Sequence, residues 1–316
     1  MPSYWQLVLL ILPVFVLMGL GLGLRRVGWL TAEADASLLR LVVNLLYPCI
    51  IFDSVHANPA LRDAGNLAWA PLVGFVTMAG GIGVCYGAAR QLGFTVGTGQ
   101  RTFAFAAGIY NYSYITVPLM TALFGSGSLG VLFAHNVGAE AAIWIVGVML
   151  LSGRSWRQGW RQLLSPPVIA LIVSVAVNLS GLGAHLPGLV LNIVRPLAAC
   201  AIPLGLILSG ATMAEHCLDR PRELFELRTS LAAVALRLGV LTALFLLLAR
   251  YGPFSRDLKH VILVQAAMPA AFLPLVLVKH YGGHLLTAIR VVLATVLASI
   301  VLTPLWLRLG LAWIGD

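Results

Sequence analysis

Charge is what this sequence has least of. Asp, Glu, Lys and Arg together make up 10% of its 316 residues, where a water-soluble domain carries about 25%. A chain so poor in charge cannot cover a globular surface with hydrated groups, which argues against a soluble enzyme or binding module. Cysteine is scarce as well. Cys49, Cys85, Cys200 and Cys217 lie in or beside apolar runs without CxxC spacing, so neither a disulfide framework nor a zinc site is expected. No HExxH and no GxSxG occurs, and His135 and Glu140 are wrongly spaced for the zinc motif. No enzyme is therefore expected, and no cofactor. The glycines of "GLGLG" (Gly19, Gly21, Gly23) and "GGIGVCYG" (Gly80 to Gly87) precede no soluble strand–helix unit. They read as sites of close helix packing rather than as a nucleotide loop.

What the sequence has in abundance is apolar length. Its mean hydropathy is +0.95, and 60% of its residues are hydrophobic. Repeated runs of roughly 20 residues, each enough for ~30 Å of hydrocarbon, predict an all-α polytopic membrane protein. Ten spans follow: 5–24, 38–56, 67–89, 102–124, 128–151, 166–182, 187–213, 229–250, 259–281 and 284–310. The sixth is trimmed by Pro166-Pro167 and by the stretch from Asn178 to Gly183, close to the minimum spanning length. The first has no basic residue ahead of it and is followed by Arg25 and Arg26, the wrong polarity for a cleaved signal.

The net charge of +9 is explained by its distribution rather than by nucleic acid, which is not an expected partner. With the N-terminus outside, the inner side holds Arg25, Arg26, Arg40, Arg90, Arg101, Arg154, Arg157, Arg161, Arg220, Arg222, Arg228, Lys279 and Arg290. The outer side holds only Arg62, Arg250, Arg256, Lys259 and Arg308. That bias puts both termini outside the cytoplasm.

The fourth span contains "GIYNYSYITVP", with Tyr110, Asn111, Tyr112, Ser113, Tyr114 and Thr116 closing on Pro118. Laid over the ninth span, "RTFAFAAGIYNYSYITVPLMTALFG" from Arg101 matches "KHVILVQAAMPAAFLPLVLVKHYGG" from Lys259 in its basic start, small residues and proline-bearing middle. Pro48 of the second span aligns in the same way with Pro203 of the seventh. A five-span repeat is odd-numbered, so its second copy enters the membrane inverted. Interrupted helices at matching places in such repeats point to a transporter's substrate site near the midplane. Two broken helices that cross would aim half-helix N-termini at one point, favourable for an anion. Asn111 can donate to a carboxylate, and the tyrosines can hold an organic body. The plainer alternative is a set of proline kinks with polar side chains bonding between helices.

Five stretches then carry a resemblance: "LPVFVLMGLGLGLRRVGWL" from Leu12, "NLLYPCIIFDSV" from Asn44, the break in the fourth span, "IPLGLILSGATM" from Ile202 and "QAAMPAAFLPLVLVKHYG" from Gln265. In order and spacing they resemble the auxin efflux carrier family, which includes plant PIN-type carriers and bacterial malate or malonate permeases. The resemblance runs the whole length. It implies two inverted five-helix repeats, 1–151 and 166–316, joined by a cytoplasmic linker at 152–165, with crossing, broken helices 4 and 9. It also implies a dimerising scaffold of spans 1, 2, 6 and 7, and a transport unit of spans 3–5 and 8–10 that moves like an elevator. Asn111 matches the family's crossover asparagine. Its counterpart falls at Pro269, where plant carriers place an asparagine. The short linker is that of a compact, prokaryotic-type member.

Ionisable groups inside a membrane are costly and mark candidate sites. Glu140 sits midway along the fifth span, with Asn136 one turn before it on the same face. Together they could hold a sodium ion, or Glu140 could carry a proton; equally, Glu140 could pair with Arg237. Asp53, with Phe52 and Pro48, either lines the substrate path or caps its helix with His56. Gln265 lies one turn before the ninth-span break and either contacts solute or bonds between helices. Arg195 attracts anions or reaches outward. His216, His260, His280 and His284 sit near span ends, read as solvated, and form no metal set.

The expected function is a secondary carrier of organic acid anions in the cell (inner) membrane. Its substrate is a carboxylate such as malate, malonate or an auxin-like acid, with proton or sodium coupling and a homodimeric state. The runner-up is a sodium-coupled symporter similar to the bile-acid transporter group, with Glu140, Asn136 and Gln265 as ion ligands.

Overall fold

The computed structural model describes residues 2–95, 99–152, 164–219, 224 and 226–315, and every regular element among them is a helix. Seven helices are long and apolar enough to cross a bilayer: α1 (Tyr4–Arg26), α2 (Glu33–Val55), α3 (Ala64–Gln91), α6 (Ser126–Ser152), α8 (Gly188–Asp219), α9 (Leu227–Tyr251) and α12 (Leu285–Ile314). Between α3 and α6 lie two half-length helices, α4 (Gln100–Gly108) and α5 (Thr116–Phe124). Between α9 and α12 lie another two, α10 (Arg256–Ala266) and α11 (Leu273–Tyr281). A shorter apolar helix, α7 (Pro166–Leu179), has 14 residues and lies within the stretch expected from sequence as the sixth span. Most of the predicted linker 152–165, with Arg154, Arg157 and Arg161, lies outside the described residues, as do Arg220 and Arg222.

Helix ends follow local chemistry. Ser3 and Gln6 form a capping box at the start of α1, which ends on Arg25 and Arg26, the charges that suit a helix C-terminus. Thr31 caps α2, whose first turn carries Glu33 and Asp35. Asp35 pairs with Arg25 across the turn between α1 and α2.

The prolines correct the sequence reading. Pro48 and Pro203 interrupt nothing. Pro203 lies inside the unbroken α8, and α2 runs through Pro48 after one widened turn at Val42–Leu46, which relieves the clash with the preceding carbonyl. Among the described residues, only the stretches expected as the fourth and ninth spans are broken, at residues 109–115 and 267–272. Pro118 is not in the break either. It stands in the first turn of α5, where the missing N–H costs nothing.

Two groups of helices form around these breaks. α1, α2, α7 and α8 pack together, and α3, α6, α9 and α12 enclose α4, α5, α10 and α11. Small residues set the closest crossings. A Cβ on Gly138 of α6 would fall 1.7 Å from the Pro71 carbonyl oxygen of α3, and one on Gly21 of α1 would fall 1.9 Å from that of Ile207 in α8. Of the two glycine runs, only Gly21 and Gly81 meet a neighbour this way; Gly19, Gly23, Gly80, Gly83 and Gly87 face open space.

Candidate functional site

The two breaks meet. Tyr110 and Ala270 form one antiparallel bridge: the Asn111 amide donates to the Pro269 carbonyl at 2.8 Å, and the Ala271 amide donates to the Ile109 carbonyl at 2.9 Å. Backbone groups freed by each interruption are thus satisfied by the other, as an apolar interior demands. Side chains meet several others. Thr242 and Thr303 donate to the carbonyls of Ala266 (2.8 Å) and Ala267 (2.7 Å), and the Ala270 amide donates to Thr295 (3.2 Å). Thr116 donates back to the Asn111 carbonyl at 2.6 Å. These bonds hold the crossing together.

Beside the crossing is a cavity of about 480 Å³ between the two helix groups. The α5 and α11 N-termini border it, through Ser113 and Tyr114 on one side and Ala271, Phe272 and Leu273 on the other. Neither end has a side-chain cap, so both bring partial positive charge to the same wall. Asn111 lies there too, 3% exposed. Its Oδ1 accepts from the Ile115 amide at 3.2 Å, which turns its Nδ2 away from that bond. Among the described residues Nδ2 has no partner. A buried amide donor left unpaired costs roughly 1–3 kcal/mol, and the residue that carries it lines a space large enough for an organic molecule.

The other expected residues divide by position. Tyr112, Ser113, Tyr114, Asn136 and Glu140 line the cavity with Asn111. Tyr110 does not. It is fully buried, with its hydroxyl 3.0 Å from Thr77 and its ring against Phe245. Gln265 lies behind the wall, donating to Asn136 Oδ1 (3.2 Å), with its Oε1 3.2 Å from the Thr116 hydroxyl oxygen, while Asn136 donates to the Tyr112 carbonyl (2.8 Å). The Asn136 side-chain oxygen is thus met by the Gln265 amide, and the Tyr112 carbonyl by that of Asn136. Pro48, Phe52, Asp53, Pro118 and Pro269 are not in the lining. Phe52 stacks on His56, and Asp53 meets the half-exposed Arg195 at 3.5 Å, so Arg195 reaches outward to a carboxylate.

Glu140 accepts from the Ser165 hydroxyl at 3.2 Å. Its expected alternative partner, Arg237, is elsewhere, fully buried against the rings of Tyr110 and Phe245. His260 corrects another expectation, for it is buried and stacked 3.9 Å from Phe124. His284 caps α12 through Thr287, and His280 is exposed.

Sequence reasoning missed Tyr47 and Gly205. Tyr47 of α2 lines the cavity, bonds Ser113 and meets Tyr114 edge-on at 6.2 Å. Gly205 of α8 receives the Tyr114 ring, which a Cβ would approach to 2.1 Å. The "IPLGL" stretch of α8 carried that signal only as a small residue among large ones.

The model of the "Membrane transport protein" family matches residues 7–159 and 156–307. An uncharacterized transporter of Methanothermobacter thermautotrophicus is 27% identical over 94% of this chain and 96% of its own length. Protein ECM3 of Saccharomyces cerevisiae is 28% identical over 84 residues, 27% of this chain and 14% of that protein. The chain belongs to the membrane transport protein family, the auxin efflux carrier family, and is a multi-pass membrane transporter.

Proposed function

We propose that the protein is a secondary carrier of organic acid anions, and that the carboxylate docks where the α5 and α11 N-termini meet the unpaired Asn111 amide. That unpaired donor is the observation that carries the reading. It supplies one charge-assisted hydrogen bond, worth about 1.5–3 kcal/mol, beside two positive helix ends. Most of the wall is apolar or aromatic, with Tyr47, Tyr112, Tyr114, Phe133 and Trp144 around the body of the solute.

The charge on the wall narrows the substrate. Among the described residues no Lys, Arg or His lines the cavity, and the one ionisable carboxyl there is Glu140. A second carboxylate would be desolvated without a cation, near a group of its own sign. An aromatic monocarboxylate therefore fits better than malate or malonate. The hydrogen-bonded Asn136–Gln265 pair gives the sodium-coupled alternative no support, so Glu140, with Asn136 beside it, is assigned to proton coupling.

Movement is of the elevator type. α1, α2, α7 and α8 act as the dimerising scaffold, and the remaining helices carry the crossing as one unit. The cavity's position between the two groups supports this assignment. So does the matching nine-residue length of α5 and α11, which favours two inverted five-span repeats. The protein resides in the cell membrane with both termini outside, on the basic-residue bias.

Uptake of labelled indole-3-acetate and malonate into proteoliposomes, with and without a sodium gradient, tests the reading. Saturable, sodium-independent uptake of the aromatic acid in preference to malonate is expected. Sodium-driven uptake, or none of either acid, would contradict it.

A further inference from the structure

Arg237 is a cation that the proposed mechanism has not used. It lies in a widened turn of α9 (Leu236–Val240) and is 0% exposed. A buried charge in a membrane protein is expensive and is retained where it acts. Yet no acidic partner meets it among the described residues. Its Nη2 donates to the Ala266 carbonyl at 3.4 Å, and its Nε and Nη1 have no acceptor. The guanidinium lies over two rings, 5.3 Å from the centroid of Tyr110 and 5.2 Å from that of Phe245.

Those contacts fall on both broken spans. Ala266 is the last residue of α10, so Arg237 stands at the negative end of that half-helix. Tyr110 is the bridge residue of the other break and immediately precedes Asn111. The cation is thus fixed beneath the crossing and outside the cavity. Its charge is only partly offset by a carbonyl dipole and two ring faces.

We propose that Arg237 is a positioning residue for anion binding. It clamps the α10 end and Tyr110 together, and its uncompensated charge makes the crossing electropositive where no cation among the described residues lines the cavity. The inference rests on the anion reading above and extends it to a residue that never touches the solute. A field of this kind acts on a charged ligand and not on a neutral one of the same shape.

The test compares wild type, Arg237→Met and Arg237→Lys as purified full-length protein, by titration with indole-3-acetate and with its neutral amide. The Met variant should lose about tenfold in affinity for the acid and keep its affinity for the amide, and Lys should restore most of the loss. Unchanged acid binding in the Met variant would overturn the proposal, as would equal losses for acid and amide. If wild type binds neither probe, or both alike, the anion reading fails instead. The clamp is then read from backbone hydrogen exchange without ligand. Faster exchange at residues 266–272 in the Met variant, reversed by Lys, upholds it; unchanged exchange there overturns it.

Discussion

Asn111 and Pro269 belong to different broken helices, and the backbone amide of the first donates to the carbonyl of the second at 2.8 Å. This bond and its return partner from Ala271 to Ile109 fix where the Asn111 side chain stands. Its Oδ1 is engaged by the Ile115 amide, and its Nδ2 is left buried and without a partner among the described residues, in a residue that lines the cavity.

Removing that donor should weaken binding without unfolding the protein. Asn111→Ala is expected to lower affinity for an aromatic monocarboxylate roughly tenfold or more, the value of a hydrogen bond to a charged group. Asn111→Asp should lower it further by adding a like charge. Calorimetric titration reads both, with the melting temperature as control; unaltered affinity in both variants would remove Asn111 from the site.

Thr242 and Thr303 serve the crossing rather than the solute. Thr242→Val and Thr303→Val each leave a break carbonyl without its hydroxyl donor. Each should cost about 1 kcal/mol, the size of interhelical hydrogen bonds in membranes. Reversible unfolding in mixed micelles measures this, and an unchanged stability in both would show that the carbonyls find other partners at no cost.

Pro118 makes a contrasting case. Because it stands in the first turn of α5, Pro118→Ala should change stability by less than about 1 kcal/mol and leave transport intact. Loss of transport in this variant would return the proline to the working part of the break.

The contact of Tyr114 with Gly205 joins the two helix groups across the cavity. Gly205→Leu would push the ring away from α8 and fill part of the cavity. Uptake should fall at least tenfold while the protein remains folded, and Gly205→Ala should lie between. Wild-type uptake in the Leu variant would mean that the two groups do not work against each other at this contact.

Much of this fold is legible in the residues because apolar length is an additive property. α3, α6 and α9 each match an expected span to within a few residues. The breaks were legible too, since "GIYNYSYITVP" and "QAAMPAAFLP" interrupt apolar runs with polar or proline residues. Their boundaries were not. Pro118 and Pro48 look like breakers, but a proline in a first turn or after a widened one breaks nothing. Side-chain direction was the harder part. Tyr110 and Tyr112 are two residues apart and were read alike, yet one is sealed against Thr77 and the other lines the cavity. The distinction depends on which neighbour crosses there. Arg237 shows the same limit. Its sequence announces a buried charge, but only the packing reveals that rings and a helix end, rather than Glu140, receive it.

The central claim, that a carboxylate sits at the junction of the two interrupted helices, is tested most directly by locating one. A structure determined with 4-iodobenzoate, using the anomalous signal of iodine, should place the ring among Tyr47, Tyr112 and Tyr114. The carboxylate should lie within hydrogen-bond distance of Asn111 Nδ2, against the first turns of α5 and α11. An iodine peak outside this cavity, or a carboxylate turned toward Glu140, would contradict the account.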